Sequence, residues 1–100
     1  MTRILFVCHG NTCRSFVAAA LARKKFGANV DVDSAGINPQ SAGDAQMAIE
    51  TLRVYFDIDA SMHVPKNICD VSIDSFNFVI AMDEGIAKRL RELVGERLIT

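Results

Sequence analysis

The sequence predicts an α/β fold: a four-stranded parallel sheet flanked by helices in three layers. Three observations carry this. Short apolar runs alternate with helical patterns along the chain, which is the arrangement that parallel sheets with crossover helices require. Two of the runs, Ile4-Leu5-Phe6-Val7 and Phe78-Val79-Ile80-Ala81, are apolar throughout, as expected of strands covered on both faces. A loop dense in reactive side chains, Cys8-His9-Gly10-Asn11-Thr12-Cys13-Arg14-Ser15, follows the first run at once. Ligands in such sheets bind beyond the carboxyl ends of the strands, and that is where this loop falls.

The elements follow in order. After the loop, an alanine-rich helix is expected from about Ser15 to Phe26, with Val17, Leu21 and Phe26 inward and Gly27 as its stop. Val30-Asp31-Val32-Asp33 alternates like a half-exposed second strand. Ser34 to Gly43 reads as a loop. Asp44 is placed to cap a second helix whose stripe is Ala45, Ala48, Ile49, Leu52 and Phe56. Residues 57–75 look irregular, with a short helical turn near Ile73. The third strand is Phe78 to Ala81. Asp83 and Glu84 open a third helix with Ile86, Leu90, Leu93 and Val94 inside, and its acidic start and later Lys88, Arg89 and Arg91 suit the helix dipole. Gly95 ends it, and Arg97-Leu98-Ile99-Thr100 forms a fourth strand.

Composition narrows the function. A chain of 100 residues is a single domain able to bury one core. The formal net charge of -1 argues against nucleic-acid binding, which favours a basic excess. Apolar runs reach only about four or five residues, far short of the roughly 20 that span a bilayer. Arg3 and four apolar residues are too short for a secretory signal. Three cysteines, an odd number, speak against a disulfide framework and for a reducing, cytoplasmic setting.

The loop spacing has physical reasons. A phosphoryl group needs several donors around its oxygens, and a tight run of backbone N–H groups forms such a nest. Gly10 is expected to relax the turn, and the helix beginning near Ser15 adds its positive end. Arg14 supplies a planar fork able to hold two phosphate oxygens. The same donors favour the thiolate of Cys8, which matters because a free thiol of pKa near 8.5 is only about 3% ionised at pH 7. The Ser15 hydroxyl is placed to donate to that sulfur, and Asn11 is a natural left-handed residue that locks the loop through its side chain.

These residues resemble the active-site loop of the low-molecular-weight protein tyrosine phosphatases. The similarity continues through Ser34-Ala35-Gly36, through Met62-His63-Val64 with Ile68, and through Ile80-Ala81-Met82-Asp83-Glu84. The resemblance covers essentially the whole chain. It implies the phosphotyrosine protein phosphatase I-like fold, without the C-terminal segment of the family. It also implies a cysteinyl-phosphate intermediate on Cys8, with Arg14 and Ser15 as its catalytic partners. His9, Gly10, Asn11, Thr12 and Cys13 would bind the substrate phosphate, with Gln40 at the rim, while Asn11, Ser34 and His63 support the loop. Cys13 is in place for the reversible disulfide that the family's second cysteine forms with the nucleophile. The implied substrate is a phosphorylated protein or a small aryl phosphate, and no cofactor or metal is implied.

Three departures from the family pattern stand out. Phe16 replaces the usual proline after the loop serine, and is expected to change helix entry more than chemistry. Gln40 stands where an aromatic residue often packs on the substrate ring. The family's general acid is an aspartate followed by proline beyond the fourth strand, whereas here Pro39 follows Asn38 and Pro65 follows Val64. The expectation is a phosphatase weakened by loss of that loop. The family's last helix is absent too, which leaves a sheet face open and invites a homodimer.

Blander readings stand beside these. Cys13 and Cys69 could be packing residues, Asp83 a helix cap rather than a substitute acid, and His9 an outward loop residue. The His and Cys spacing fits no usual zinc pattern. Two other classes remain: a phosphate-binding regulatory module without turnover, and a thiol-dependent arsenate reductase. The reductase needs further cysteines after the third strand, and none follows Cys69.

Overall fold

In a computed structural model that describes residues 1–100, four parallel strands form one sheet in the order β2-β1-β3-β4. The strands are β1 (Thr2–Cys8), β2 (Val30–Gly36), β3 (Phe78–Ala81) and β4 (Leu98–Ile99). The helices are α1 (Arg14–Phe26), α2 (Gln46–Phe56) and α3 (Glu84–Val94). The two continuous apolar runs occupy the sheet centre, β1 and β3, in the register Ile4↔Phe78 to Val7↔Ala81. Strand β2 runs three residues beyond the expected alternation, so Ser34-Ala35-Gly36 is strand and not loop; Gly36 lies beside Cys8 in the register.

Successive strand residues point to opposite faces. Leu5, Val7, Ala35, Val79 and Ala81 pack on one face against Ile86, Ala87, Leu90 and Val94 of α3. Leu5, Val7 and Val79 are completely buried, each worth about 1.5–3 kcal/mol of transfer free energy. A second cluster joins α1 to α2 through Phe16, Ala20, Ala45, Ala48 and Leu52, with Ile58 and Ala60 packed against it. Three residues expected inside are exposed: Phe26, Phe56 and Leu93. Phe26 and Phe56 end their helices and Leu93 lies next to the end of its own, where the inward stripe has already passed the neighbouring element.

Helix ends are set locally. Gly27 and Gly95 stop α1 and α3 in left-handed φ (64° each), as expected of helix-terminal glycines. Asp44 does not cap α2 directly. Ser41 donates its backbone N–H and hydroxyl to the Asp44 carboxylate at 3.2 and 3.0 Å, closing a box around the 3₁₀ turn Ala42–Ala45 that leads into the helix. Residues 57–77 wrap one edge of the sheet with 3₁₀ turns at Ile68–Asp70 and Ile73–Ser75. Asn67 bridges to Gly36, and Phe76 is buried beneath the Arg3 guanidinium, 4.4 Å from the ring centroid.

The sheet face toward α1 is only partly covered. By register, Ile4, Phe6, Phe78, Ile80 and Ile99 share that face. None of them joins either core, and Phe78 and Ile99 are exposed. No helix is long and apolar enough to cross a membrane.

Candidate active site

The loop between β1 and α1 sits at the carboxyl edge of the sheet. Strand β1 delivers Cys8 to this edge with 3% of its surface exposed. Helix α1 begins at Arg14 with no side-chain cap and no acidic residue in its first turn. Its leading N–H groups and positive dipole end are therefore left for an anion in the loop. Cys8 Sγ lies 2.9 Å from Ser15 Oγ and accepts the Asn11 N–H at 3.2 Å.

Asn11 organises the loop. It adopts the left-handed region (φ 56°), and it is fully buried. Its Nδ2 donates to Ser15 Oγ and to Ser34 Oγ, both at 2.9 Å. Its Oδ1 accepts the Lys66 N–H at 3.0 Å, and its carbonyl lies 2.7 Å from His63 Nε2. With the N–H on Cys8, every polar group of the residue has a partner. Two directions follow. A carbonyl only accepts, so His63 carries its proton on Nε2. Ser15 Oγ accepts from Asn11, and its own proton has two acceptors, Cys8 Sγ at 2.9 Å and the Ala35 carbonyl at 3.5 Å, of which the sulfur is the nearer. Asn11, Ser34 and His63 thus lie in one hydrogen-bonded group.

Arg14 stands at the rim, where Nη1 donates to Asp83 Oδ2 at 2.8 Å. Asp83 is also the cap of α3, its Oδ1 accepting the Ile86 N–H at 2.9 Å. The Arg14 hydrogen bond, with help from Ile86, holds the Asp83 carboxyl below the usual carboxylate range. The Asp83 carboxylate thus caps α3 and anchors the Arg14 guanidinium.

Several residues carry more than sequence spacing suggested. Phe16 is buried and stacks on His63, with ring centroids 3.8 Å apart and planes 3° apart. The residue in the proline position therefore braces the histidine that holds Asn11. Gly36 is required by close approach: a Cβ there would stand 2.6 Å from the His9 carbonyl oxygen and 3.1 Å from Asn11. Gly10 does not supply the left-handed residue of the turn, which is Asn11. A Cβ on Gly10 would meet Gln40 Cγ at 2.7 Å, so that glycine makes room for Gln40 at the rim. Lys66 was not singled out by sequence; its Nζ bonds both oxygens of Asp33 at 2.8 and 2.9 Å while its N–H holds Asn11. Thr12 is half-buried, and His9 and Gln40 are exposed. Cys13 and Cys69 are exposed rather than packed inside, which corrects the packing reading for both. No group of three or more His, Cys, Asp or Glu residues could hold a metal ion.

Burial lowers the His63 pKa below its ordinary 6.5; the Asn11 carbonyl and Asp33 oppose the shift, while Lys66 and Arg23 add to it. Between the folded and unfolded values, the unfolded chain binds more protons. This part of the stability is therefore present above about pH 6.5, falls as pH drops through the window down to the folded pKa, and is spent below it. Melting temperatures measured between about pH 5 and 8 should fall on the acid side of that window. His63→Gln, which keeps a donor for the Asn11 carbonyl, should remove this component.

The comparisons with known proteins agree with the geometry. A family model described as low molecular weight phosphotyrosine protein phosphatase matches residues 3–98. A protein-arginine-phosphatase of Geobacillus stearothermophilus is 39% identical over 83 residues, which is 83% of this chain and 55% of that protein. The low molecular weight protein-tyrosine-phosphatase YfkJ of Bacillus subtilis (strain 168) is 32% identical over 106 residues, covering 95% of this chain and 65% of that protein. The crystal structure of a low molecular weight protein tyrosine phosphatase from T. tengcongensis superposes with a TM-score of 0.84 at 30% identity, over 100% of this chain and 73% of that one. The chain thus spans between about half and two thirds of the length of the curated relatives it matches. With a family model matching residues 3–98 and a superposition that covers the whole chain, the chain belongs to the low molecular weight phosphotyrosine protein phosphatase family.

Proposed function

We propose that this chain carries the nucleophile and phosphate site of a cysteine-dependent phosphatase acting on phosphorylated protein or small aryl phosphates. The observation that carries the reading is the position of Cys8 Sγ. It lies at the loop floor, between the Ser15 hydroxyl (2.9 Å) and the Asn11 N–H (3.2 Å), beside an uncapped helix N-terminus and Arg14. In the proposed reaction the thiolate attacks phosphorus, forming the S–P bond as the P–O bond to the leaving group breaks. The leaving oxygen keeps the bonding pair. Water then attacks phosphorus as the S–P bond breaks, losing a proton to solvent while the departed oxygen takes one from solvent, and the thiolate returns to its hydrogen bond from Ser15. The loop N–H groups and Arg14 stabilise charge on the transferring oxygens throughout.

Asp83 is engaged by Arg14 and by the Ile86 N–H, and it is assigned no proton transfer in the proposed reaction. A positioned general acid contributes about 10²- to 10⁴-fold. Aryl phosphates of graded leaving-group pKa, assayed beside Cys8→Ser, test both points. A steep decline of rate with rising pKa, and no turnover by Cys8→Ser, is expected. Equal turnover by Cys8→Ser would overturn the nucleophile. Tight phosphate binding without turnover would point instead to a regulatory module.

A second substrate class has specific support: protein phosphoarginine. The Geobacillus relative is described as a protein-arginine-phosphatase, and Gln40 puts an amide, not an aromatic ring, at the rim of the loop. Comparing kcat/KM on a phosphoarginine peptide and its phosphotyrosine counterpart decides between them. Cys13, exposed on the loop, is the proposed partner of Cys8 in a reversible disulfide.

The open face of Ile4, Phe6, Phe78, Ile80 and Ile99 supports self-association into a homodimer. Light scattering should show mass rising with concentration, and Phe78→Ser should suppress the rise. A monomer at every concentration would exclude the dimer.

A further inference from the structure

One cavity lies away from the phosphate loop. It is a cleft of about 790 Å³ between α1, the β2 edge and residues 57–66, and no residue from Cys8 to Ser15 lines it. Three residues that do line it, Ser34, His63 and Lys66, each bond Asn11, at 2.9, 2.7 and 3.0 Å. Phe16, which stacks on His63, lines it too. The cleft and the nucleophile therefore share one wall: whatever bears on His63 or Lys66 bears on Asn11, and through Ser15 on Cys8.

The lining selects a chemistry. Ala20, Ile58 and Ala60 join Phe16 as an apolar wall. Arg23 gives Nε and Nη2 to the Val32 carbonyl, at 3.1 and 2.9 Å, with Nη2 also 3.8 Å from Asp33 Oδ1, and keeps Nη1; Lys24 donates to the Phe56 carbonyl and keeps the rest of its ammonium. The carboxylates are more fully engaged. Asp33 takes both contacts from Lys66, and Asp59 takes the N–H and hydroxyl of Ser61 at 3.1 and 2.7 Å. Asp57 also lines the cleft and disfavours a second negative charge. A flat apolar body with one anionic group fits; a phosphate dianion does not. The volume lies within the range of small-molecule sites.

We propose that this cleft binds a small aromatic carboxylate and that its occupancy is transmitted to the phosphate loop through Asn11. The probes are 1-naphthoate, its neutral counterpart 1-naphthylmethanol, and the fluorescent monoanion 8-anilinonaphthalene-1-sulfonate. The dye should bind, be displaced by naphthoate, and be displaced at least about tenfold less well by the alcohol. Lys24→Gln and Ala60→Trp should each weaken the dye about fivefold or more, with Phe78→Ser on the open sheet face as the control that leaves it unchanged. Two different cleft variants guard against one that fails to fold. Saturating naphthoate should shift the affinity for inorganic phosphate, read by calorimetry, about threefold to a plateau, and phosphate should shift naphthoate by the same factor. Dye binding abolished by Phe78→Ser and untouched by the cleft variants would overturn the site. An unchanged phosphate affinity would overturn the coupling. A shift that grows without a plateau would place the anion in the loop itself and overturn both. None of these readouts needs turnover, so an inactive chain with intact coupling would sink the phosphatase reading and spare this one.

Discussion

Asn11→Ala is expected to unfold the site before it unfolds the protein. The substitution removes both Nδ2 donors and the Oδ1 acceptor, leaving the Lys66 N–H without a partner. An orphaned buried donor costs about 1–3 kcal/mol. Alanine at φ 56° adds about 1 kcal/mol or more of left-handed strain. A loss near 3 kcal/mol is within the 5–15 kcal/mol of a typical domain, so the chain should still fold, with a melting temperature lower by roughly 10–20 °C. Turnover should fall by about 10²-fold or more, because Ser15 loses its orientation toward Cys8.

Asn11→Asp separates the two effects. It keeps the Oδ1 acceptor and the shape, but turns the donor toward Ser15 into an acceptor. The Ser15 proton is then drawn to the introduced carboxylate and away from Cys8 Sγ, and the added negative charge faces the thiolate. Activity should drop about 10²-fold, with a smaller loss of stability than in the alanine variant. Calorimetry and single-turnover kinetics on both variants check this. Full activity in Asn11→Asp would refute the assigned hydrogen-bond direction.

Arg14→Lys should lower kcat/KM on aryl phosphates by about 10²- to 10³-fold, the usual effect of removing one well-placed transition-state donor. Charge is conserved, so a merely electrostatic role would predict little change. What lysine lacks is the fork: one ammonium cannot hold two phosphate oxygens in a plane. Arg14 now donates to Asp83, and phosphate must compete for the same guanidinium. Asp83→Asn keeps the cap acceptor for the Ile86 N–H and removes the competing charge. That variant should bind phosphate at least as tightly as the parent, while Arg14→Lys binds it more weakly. A parent-like rate in Arg14→Lys would remove the arginine from the chemistry.

Much of this was legible in the residues alone. The runs at Ile4–Val7 and Phe78–Ala81 became the sheet centre, and the loop that follows the first run lies at its carboxyl edge. Cys8, Arg14 and Ser15 were legible because nucleophile, fork and helix start lie within eight residues, so local geometry alone brings them together. Within residues 57–77, His63 was legible only through the family resemblance, and Lys66 not at all. Their spacing follows no period, and Lys66 acts through a backbone N–H that any residue but proline could offer. Phe16 read as a departure from pattern; only its stack on His63 gives it a task. Phe26, Phe56 and Leu93 misled because a helical stripe says which face is inward, but not where the neighbouring element stops.

The sequence by itself determined the fold class and the strand–loop–helix unit, and it placed Cys8, Arg14 and Ser15 in one loop, because each depends on contacts between near neighbours in the chain. The resemblance named Ser34 and His63, but the tertiary structure decided how they reach Asn11 and added Lys66 and the Arg14–Asp83 contact. Ser34, His63 and Lys66 reach Asn11 across 23, 52 and 55 residues of chain, and Asp83 reaches Arg14 across 69. Only the packing of one strand's edge beside another's brings those groups into hydrogen-bond distance, and no local pattern records it.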